Sequence, residues 1–531
     1  MPIGNEKRRD HRSVNPFSAK GPRASRDFAS VKAPGKSAPS EEPKNLVNVS
    51  YTKAADPEPS AETRVVEPSP TPSFKKAPLY DKPKSASAEL KEKKRAKQTE
   101  ADHEILKKDR WLARNGHFLT FVGLYLFSIM VLFRPYELIS FLGFLSATAF
   151  YFALATLIIY VPSQLATEAN LTVLSTDVKA ILAMTLIALV TIPIAKDPAL
   201  AWETFNEPFI KAVIIFIVLV NVVRTRKRLM AMLWLSLSIG VYLGYTALDL
   251  YMQGKFKVED YRVGVDVGGM FGNPNDMALH FVMMTPIVVA LGIAAKSKFW
   301  RVIYWAIAAL FVGANMVTYS RAGFLGLIAT AAVLAWKLGR KYRLNVSIAS
   351  IVVGGVAIAA APGNYGLRML SIFIPGLDAV GSADQRQELL NRSLLVTARN
   401  PWGIGIGCFP IVGIHDHQTH NAFTQVSSEL GVLGLAAYLI FMISPFRKLR
   451  AIERTLFDAE NHSWFYYMSI GLQASIVGYW VSSFFASVAY NWFIYYLIAY
   501  AVAFRRIYRL ETGEQSAQAP RVPKPEPALA I

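Results

Sequence analysis

Apolar residues in this chain run in long blocks and do not alternate with polar ones. ILAMTLIALVTIPIA (Ile181 to Ala195) and IVVGGVAIAAAP (Ile351 to Pro362) carry no charge at all. A surface helix of a soluble protein would interrupt such blocks with a polar face. From His117 onward, twelve apolar segments satisfy the roughly 17–25 residues that one bilayer crossing needs. Their limits are 117–133, 138–162, 178–194, 209–223, 228–252, 276–295, 299–318, 321–338, 344–361, 430–446, 464–486 and 490–505. Pro162 and the polar stretch Gln164 to Asp177 make the second and third the least regular crossings. Lipid offers the backbone no hydrogen-bond partner, so segments of this length must be helical. The pattern predicts an all-α, polytopic membrane protein.

Composition agrees and narrows the class. Of 531 residues, 53% are hydrophobic and 18% charged, which excludes an ordinary soluble enzyme. The single cysteine, Cys408, excludes a disulfide scaffold and a four-cysteine zinc module. Residues 1–87 are rich in Pro, Ser, Lys and Ala and are expected to be a disordered, basic cytoplasmic tail with no apolar signal region. Residues 88–115 lack Pro, and pairs such as Glu89 with Lys93 and Glu104 with Lys108 predict a basic juxtamembrane helix. Two roles stand open for it: lying on anionic headgroups, or serving as a solvated stop before the first span. The transmembrane catalytic domain is expected over 116–507 and a second disordered cytoplasmic tail over 508–531.

The formal net charge of +19 has a topological explanation. With a cytoplasmic N-terminus, the inside loops hold Arg224, Arg226, Lys227 and Arg228; Lys296, Lys298 and Arg301; Lys337, Arg340, Lys341 and Arg343; Arg447, Lys448, Arg450 and Arg454. Arg505, Arg506 and Arg509 follow the last segment, whereas the short outside loops are poor in cations. This asymmetry predicts both termini in the cytoplasm and requires no nucleic-acid partner.

One outside connection, residues 362–429, is far longer than a connector needs to be. It carries Arg368, Arg386, Arg392 and Arg399, then His415, Asp416, His417 and His420. Two other outside segments share its chemistry: YRVGVDVGGMFGNPNDMALH (Tyr261 to His280) and YSRAG (Tyr319 to Gly323). Each precedes a helix whose amino-terminal end faces outward, where free N–H groups and the helix dipole favour anions. Arg262 and Arg321 stand beside such ends and offer planar forks for phosphate oxygens. The bland alternatives are an exposed loop cation for Arg262 and a headgroup-snorkelling side chain for Arg321. Asn273 to Asp276 read as the cap of the sixth segment. Gly264, Gly268, Gly269 and Gly272 follow no strand and are rejected as a nucleotide loop. The clustered histidines could ligate zinc, although their spacing matches no standard module. Alternatively, His420 is a general base beside an anion site, able to accept the proton of an attacking sugar hydroxyl.

These elements together resemble the O-antigen ligase and polymerase superfamily of bacterial membrane glycosyltransferases. His420, Asn421, nine residues from Ala422 to Leu430, Gly431, Val432, Leu433 and Gly434 fit its ligase signature. NPWGIGIGCF (Asn400 to Phe409), YSRAG and FGNPND resemble three further elements, so that the likeness runs from Arg262 to Ile507.

The resemblance implies a GT-C-type, metal-independent enzyme of the bacterial inner membrane with one large periplasmic loop and no cofactor. Its donor would be an undecaprenyl-diphosphate-linked glycan and its acceptor lipid A core, another glycan or a protein. Within that implication, His420 looks like the base and Arg262, Arg321 and Arg386 like the diphosphate-binding arginines. Asn421, Glu429, Gly431 and Gly434 are supporting residues, with helix capping an equal reading for Asn421 and Glu429. The tail before residue 117 departs from the family pattern and suggests an added cytoplasmic partner. A lipid-linked-sugar transporter is the alternative of another class. It predicts mid-membrane ionisable residues and internal repeats, whereas Asp249 and His280 fall near segment ends and no repeat is evident. A zinc sensor built on His415 to His420 is the third.

Overall fold

A computed structural model describes residues 111–518, except 139, 146–147, 169, 257–260, 266–270, 341–343, 346–347, 349–353, 356–360, 362, 364, 373, 375–381 and 415. The chain forms two units, Met1–Lys82 and Pro83–Ile531. The first lies wholly outside the described residues, as do the tail expected over 1–87 and all of the 88–115 segment except 111–115, which is helical.

The described residues contain helices and no strand. The long ones are α1 (Trp111–Leu132), α2 (Thr148–Glu168), α3 (Thr176–Thr191), α4 (Ile210–Val222), α5 (Arg226–Met252) and α6 (Pro274–Ala294). They continue as α7 (Lys298–Val317), α8 (Arg321–Leu338), α9 (Ser382–Arg399), α10 (Ala422–Asp458), α11 (Trp464–Ser483) and α12 (Trp492–Gln518). A short α-helix over Pro198–Thr204 and a π-helical turn over Phe205–Phe209 lead into α4, making one helical span over Pro198–Val222. α12 runs helically to Gln518, so the start of the 508–531 tail is an extension of the last helix; Thr512 Oγ1 bonds the Tyr508 carbonyl along it.

Eight helices among the described residues are long and apolar enough to cross a membrane, fewer than the twelve segments read from the sequence. Four of the twelve segments account for the difference. α1 supplies only a shorter apolar stretch, Gly116–Leu132. Most of 344–361 lies outside the described residues. α11 and α12 occupy the expected positions but are less apolar: α11 carries Tyr, Ser and Gln, and α12 carries Tyr and a run of arginines, with much of both packed inside the bundle. Ser475 donates to the Met283 carbonyl at 2.6 Å and Ser482 to the Ala322 carbonyl at 3.0 Å. Polar side chains are tolerated in such helices when neighbouring backbones satisfy them. α11 packs on α6, α8 and α10, while α6 also contacts α7 and is the most enclosed of the apolar helices.

Cations that the sequence explains by topology alone also have a packing role. Glu168 binds Arg224 (2.8 Å) and Arg506 (2.6 Å), and Asp177 binds Lys448 (2.9 Å) and Arg505 (3.1 Å). Glu453, fully buried, binds Lys337 (2.5 Å) and Arg340. Each carboxylate thus joins helices distant in sequence, at the end of the bundle where α8 terminates. Arg321, at the start of that helix, stands about 24 Å away at 1.5 Å per residue. Breaking a buried pair by deleting one partner strands the other charge. Glu453→Ala is therefore expected to destabilise the protein by about 3–5 kcal/mol, measured as a drop in the unfolding midpoint of the detergent-solubilised protein, and Glu453→Gln by less.

Candidate active site

The turn between α7 and α8 is built by arginines. Tyr319 adopts a left-handed conformation (φ 51°), and Ser320 caps α8 by accepting from the Gly323 N–H at 3.2 Å. The carbonyls at such a turn have no helical partner. Arg262 Nε donates to the Thr318 carbonyl at 3.0 Å and Arg368 Nε to the Tyr319 carbonyl at 2.9 Å. Arg262 also donates to Asn275 Oδ1 at 2.8 Å, tying the turn to the start of α6, where Asn273 is the cap. Arg262 is buried in these contacts and does not line the cavity described next. Its place is that of a brace for the turn from which Arg321 projects.

Beside that turn lies a cavity of about 320 Å³. Arg321, Ser371, Arg386, Gln387, Thr419, His420 and Asn421 provide its polar lining. Leu325, Ile372, Leu390, Phe484 and Phe485 provide an apolar wall, and no carboxylate is among the described lining residues. Three of the four residues singled out as base or anion ligands therefore share one site: His420, Arg321 and Arg386. The volume lies at the lower end of the range for small-ligand pockets, roughly 300–1,000 Å³.

His420 is the last residue before α10's cap, with its ring centroid 6.4 Å from that of His417. Burial, then the positive charge of Arg386, then His417, lower its imidazole from 6.5 to about 4. It is consequently neutral, and able to accept a proton, across the physiological range. Among the described hydrogen bonds of His420, only its backbone N–H takes part, leaving the ring to face the cavity. Asn421 is the N-cap of α10, its Oδ1 accepting from Phe423 N (2.9 Å) and Thr424 N (3.1 Å).

The two supporting glycines and Glu429 act behind the site. Gly431 breaks α10 (φ 71°, ψ −172°), and a Cβ there would stand 2.3 Å from the Pro401 carbonyl. The break frees carbonyls that the segment Asn400 to Phe409 then satisfies: Ile404 N reaches Ser428 O and Gly405 N reaches Glu429 O, both at 3.0 Å, while Val432 N donates to Pro401 O at 2.9 Å. Gly403, Gly405 and Gly407 all take left-handed conformations to make this approach. The fully buried Glu429 accepts from Phe409 N at 3.3 Å. Burial pushes its carboxyl up to about 7. Glu429 thus binds the glycine loop; Gly434 packs against Leu430 one turn earlier.

His415 lies outside the described residues, and among those described no group of His, Cys, Asp or Glu is arranged to hold a metal ion. Sequence inspection missed Thr419, Phe484, Phe485 and Ser487. Their types are ordinary and, Thr419 apart, they lie more than sixty residues from His420 in the chain.

Residues 305–439 match the family model described as O-antigen ligase. The match covers Arg321, Arg386, His420 and the Gly431 break, excludes Arg262, and supports assignment to the O-antigen ligase/polymerase family. No curated protein matches the chain. Because Gly431 is both left-handed and in backbone contact, Gly431→Ala is expected to cost upwards of about 2 kcal/mol. A lowered unfolding midpoint, with loss of whatever activity depends on His420, is the measurement.

Proposed function

Taking the O-antigen ligase/polymerase assignment as the premise, we propose that the protein transfers a glycan from a lipid-diphosphate-linked donor to an acceptor hydroxyl at the outer face of the bacterial inner membrane. The observation that carries this reading is the sharing of one cavity by a neutral imidazole and two guanidinium groups, with no carboxylate among the described lining residues. Arg321 and Arg386 hold the diphosphate of the donor. The acceptor oxygen attacks the anomeric carbon, the bond from that carbon to the diphosphate oxygen breaks, and the hydroxyl proton passes to His420. The negative charge that develops on the departing lipid diphosphate is met by the two arginines, a form of electrostatic stabilisation that is strongest in a water-poor site. No metal is needed for this charge balance. The apolar wall of Leu325, Leu390, Phe484 and Phe485 offers a surface suited to the hydrocarbon of a lipid-linked donor.

Arginine and histidine are coupled here. Burial and then the Arg386 charge hold the imidazole down, and a bound diphosphate offsets that charge and strengthens the base when it is required. The acceptor is lipid A core in an O-antigen ligase, a growing glycan in a polymerase, or a protein hydroxyl in an O-linked transferase. The inside placement of both termini follows from the same orientation.

His420→Ala is expected to reduce transfer from a purified lipid-linked donor by at least about 10²-fold, without added metal; full activity would defeat the base role. Arg386→Gln should raise the KM for donor. The acidic limb of kcat/KM should lie near pH 4, well below 6.5, since the free enzyme's imidazole stays neutral to about 4. Removing the Arg386 charge should move that limb to higher pH. Running the assay against lipid A core, glycan and peptide acceptors identifies the acceptor class.

A further inference from the structure

The backbone that carries His420 is in an unusual state. Its φ is +50°, a left-handed conformation found in only a few per cent of non-glycine residues, roughly, and held when the surroundings over-determine it. The restraint comes from the connection between α11 and α12, which belongs to neither the histidine signature nor the arginine segments. His420 N donates to Ser487 Oγ at 2.8 Å. The Ser487 and Thr419 hydroxyls lie 3.0 Å apart, and Thr419 Oγ1 is 2.9 Å from the Asn421 carbonyl. An amide N–H can only donate and a carbonyl can only accept, which fixes the direction of the circuit. His420 N–H donates to Ser487, Ser487 O–H to Thr419, and Thr419 O–H to Asn421.

The Asn421 carbonyl also receives Gln425 N at 2.8 Å, the first backbone bond of α10, so the circuit ends on the helix it helps to start. A second stitch joins the same two segments: Ala489 N donates to Gln425 Oε1 at 3.3 Å. Phe484 and Phe485, just before Ser487, line the cavity. The α11–α12 connection is therefore one wall of the site and the anchor of its histidine.

We propose that Ser487 is a positioning residue: by closing the hydrogen-bond circuit with Thr419 it holds the His420 backbone left-handed and so places the imidazole over the cavity. This rests on the base role proposed above. Ser487 itself need not touch donor or acceptor. Without its oxygen the His420 amide loses its acceptor, the segment can relax towards an ordinary conformation, and the ring moves with it. Displacements of about 1 Å at a reacting group are enough to lower rates by 10²-fold.

The test uses the full-length purified protein and the transfer assay with its lipid-linked donor. Ser487→Ala is expected to lower kcat by about 10–100-fold while the donor KM changes by less than about twofold, because the arginines are untouched. Ser487→Thr keeps the oxygen and should recover most of the rate. His420→Gly with added imidazole supplies a second measurement. In that background Ser487→Ala should cause no further loss, since a diffusing base needs no backbone to place it. Wild-type kcat in Ser487→Ala overturns the proposal, and so does an equal further loss in the imidazole-rescued background, which would mean a general structural role. If imidazole rescues nothing, the kcat-against-KM split and the recovery by threonine decide alone. Full activity of His420→Ala in the same assay would sink the base role instead, and is read independently of either serine variant.

Discussion

An interrupted helix at a membrane boundary must find partners for the carbonyl groups its break exposes, and the site is organised around how this chain meets that demand. The break in α10 at Gly431 turns out the carbonyls of Ser428 and Glu429, and amides of Ile404 and Gly405 take them up. A lipid-facing orphan carbonyl would be far more costly than the same group in water. The glycine loop and the first two turns of α10 consequently behave as one body. His420, immediately before those turns, inherits its position from that union, and Glu429 strengthens it from inside by binding Phe409 N.

Charge is distributed unequally along the bundle, and the inequality bears on chemistry. At one end, three buried carboxylates each bind two cations and close the helices together. About 24 Å away, the cavity presents two guanidinium groups and an imidazole with no carboxylate among its described lining residues. The first arrangement satisfies every carboxylate with two cations and is structural. The second suits an anion, and there burial and then the Arg386 charge lower the imidazole.

Arginine serves two purposes around the α7–α8 turn, and residue type alone does not separate them. Arg262 and Arg368 give their Nε donors to turn carbonyls, whereas Arg321 and Arg386 line the cavity. From the sequence, Arg262 and Arg321 look alike: each is a cation beside an outward helix start. The discriminating fact is which acceptor lies within 3 Å, and that acceptor, the Thr318 carbonyl, is contributed by a turn fifty-six residues away.

The apolar blocks, the alternation of basic loops and the spacing from His420 to Gly434 were legible in the chain because each is a local pattern. Hydrophobicity, charge sign and motif spacing need no knowledge of neighbours, and they were enough for helices, a multi-pass membrane protein and a family match over residues 305–439. Local patterns say less where burial replaces lipid: α11 and α12 are helices at the expected positions, but their Tyr side chains, with the Ser of α11, are placed by packing inside the bundle. Only the tertiary structure decided that Arg262 braces a turn, that topological cations clamp Glu168, Asp177 and Glu453, and that Ser487 reaches the His420 amide. Those are hydrogen bonds and ion pairs between residues of ordinary type, brought within 3 Å or so by helix packing. Such contacts leave no periodicity behind for a sequence to display.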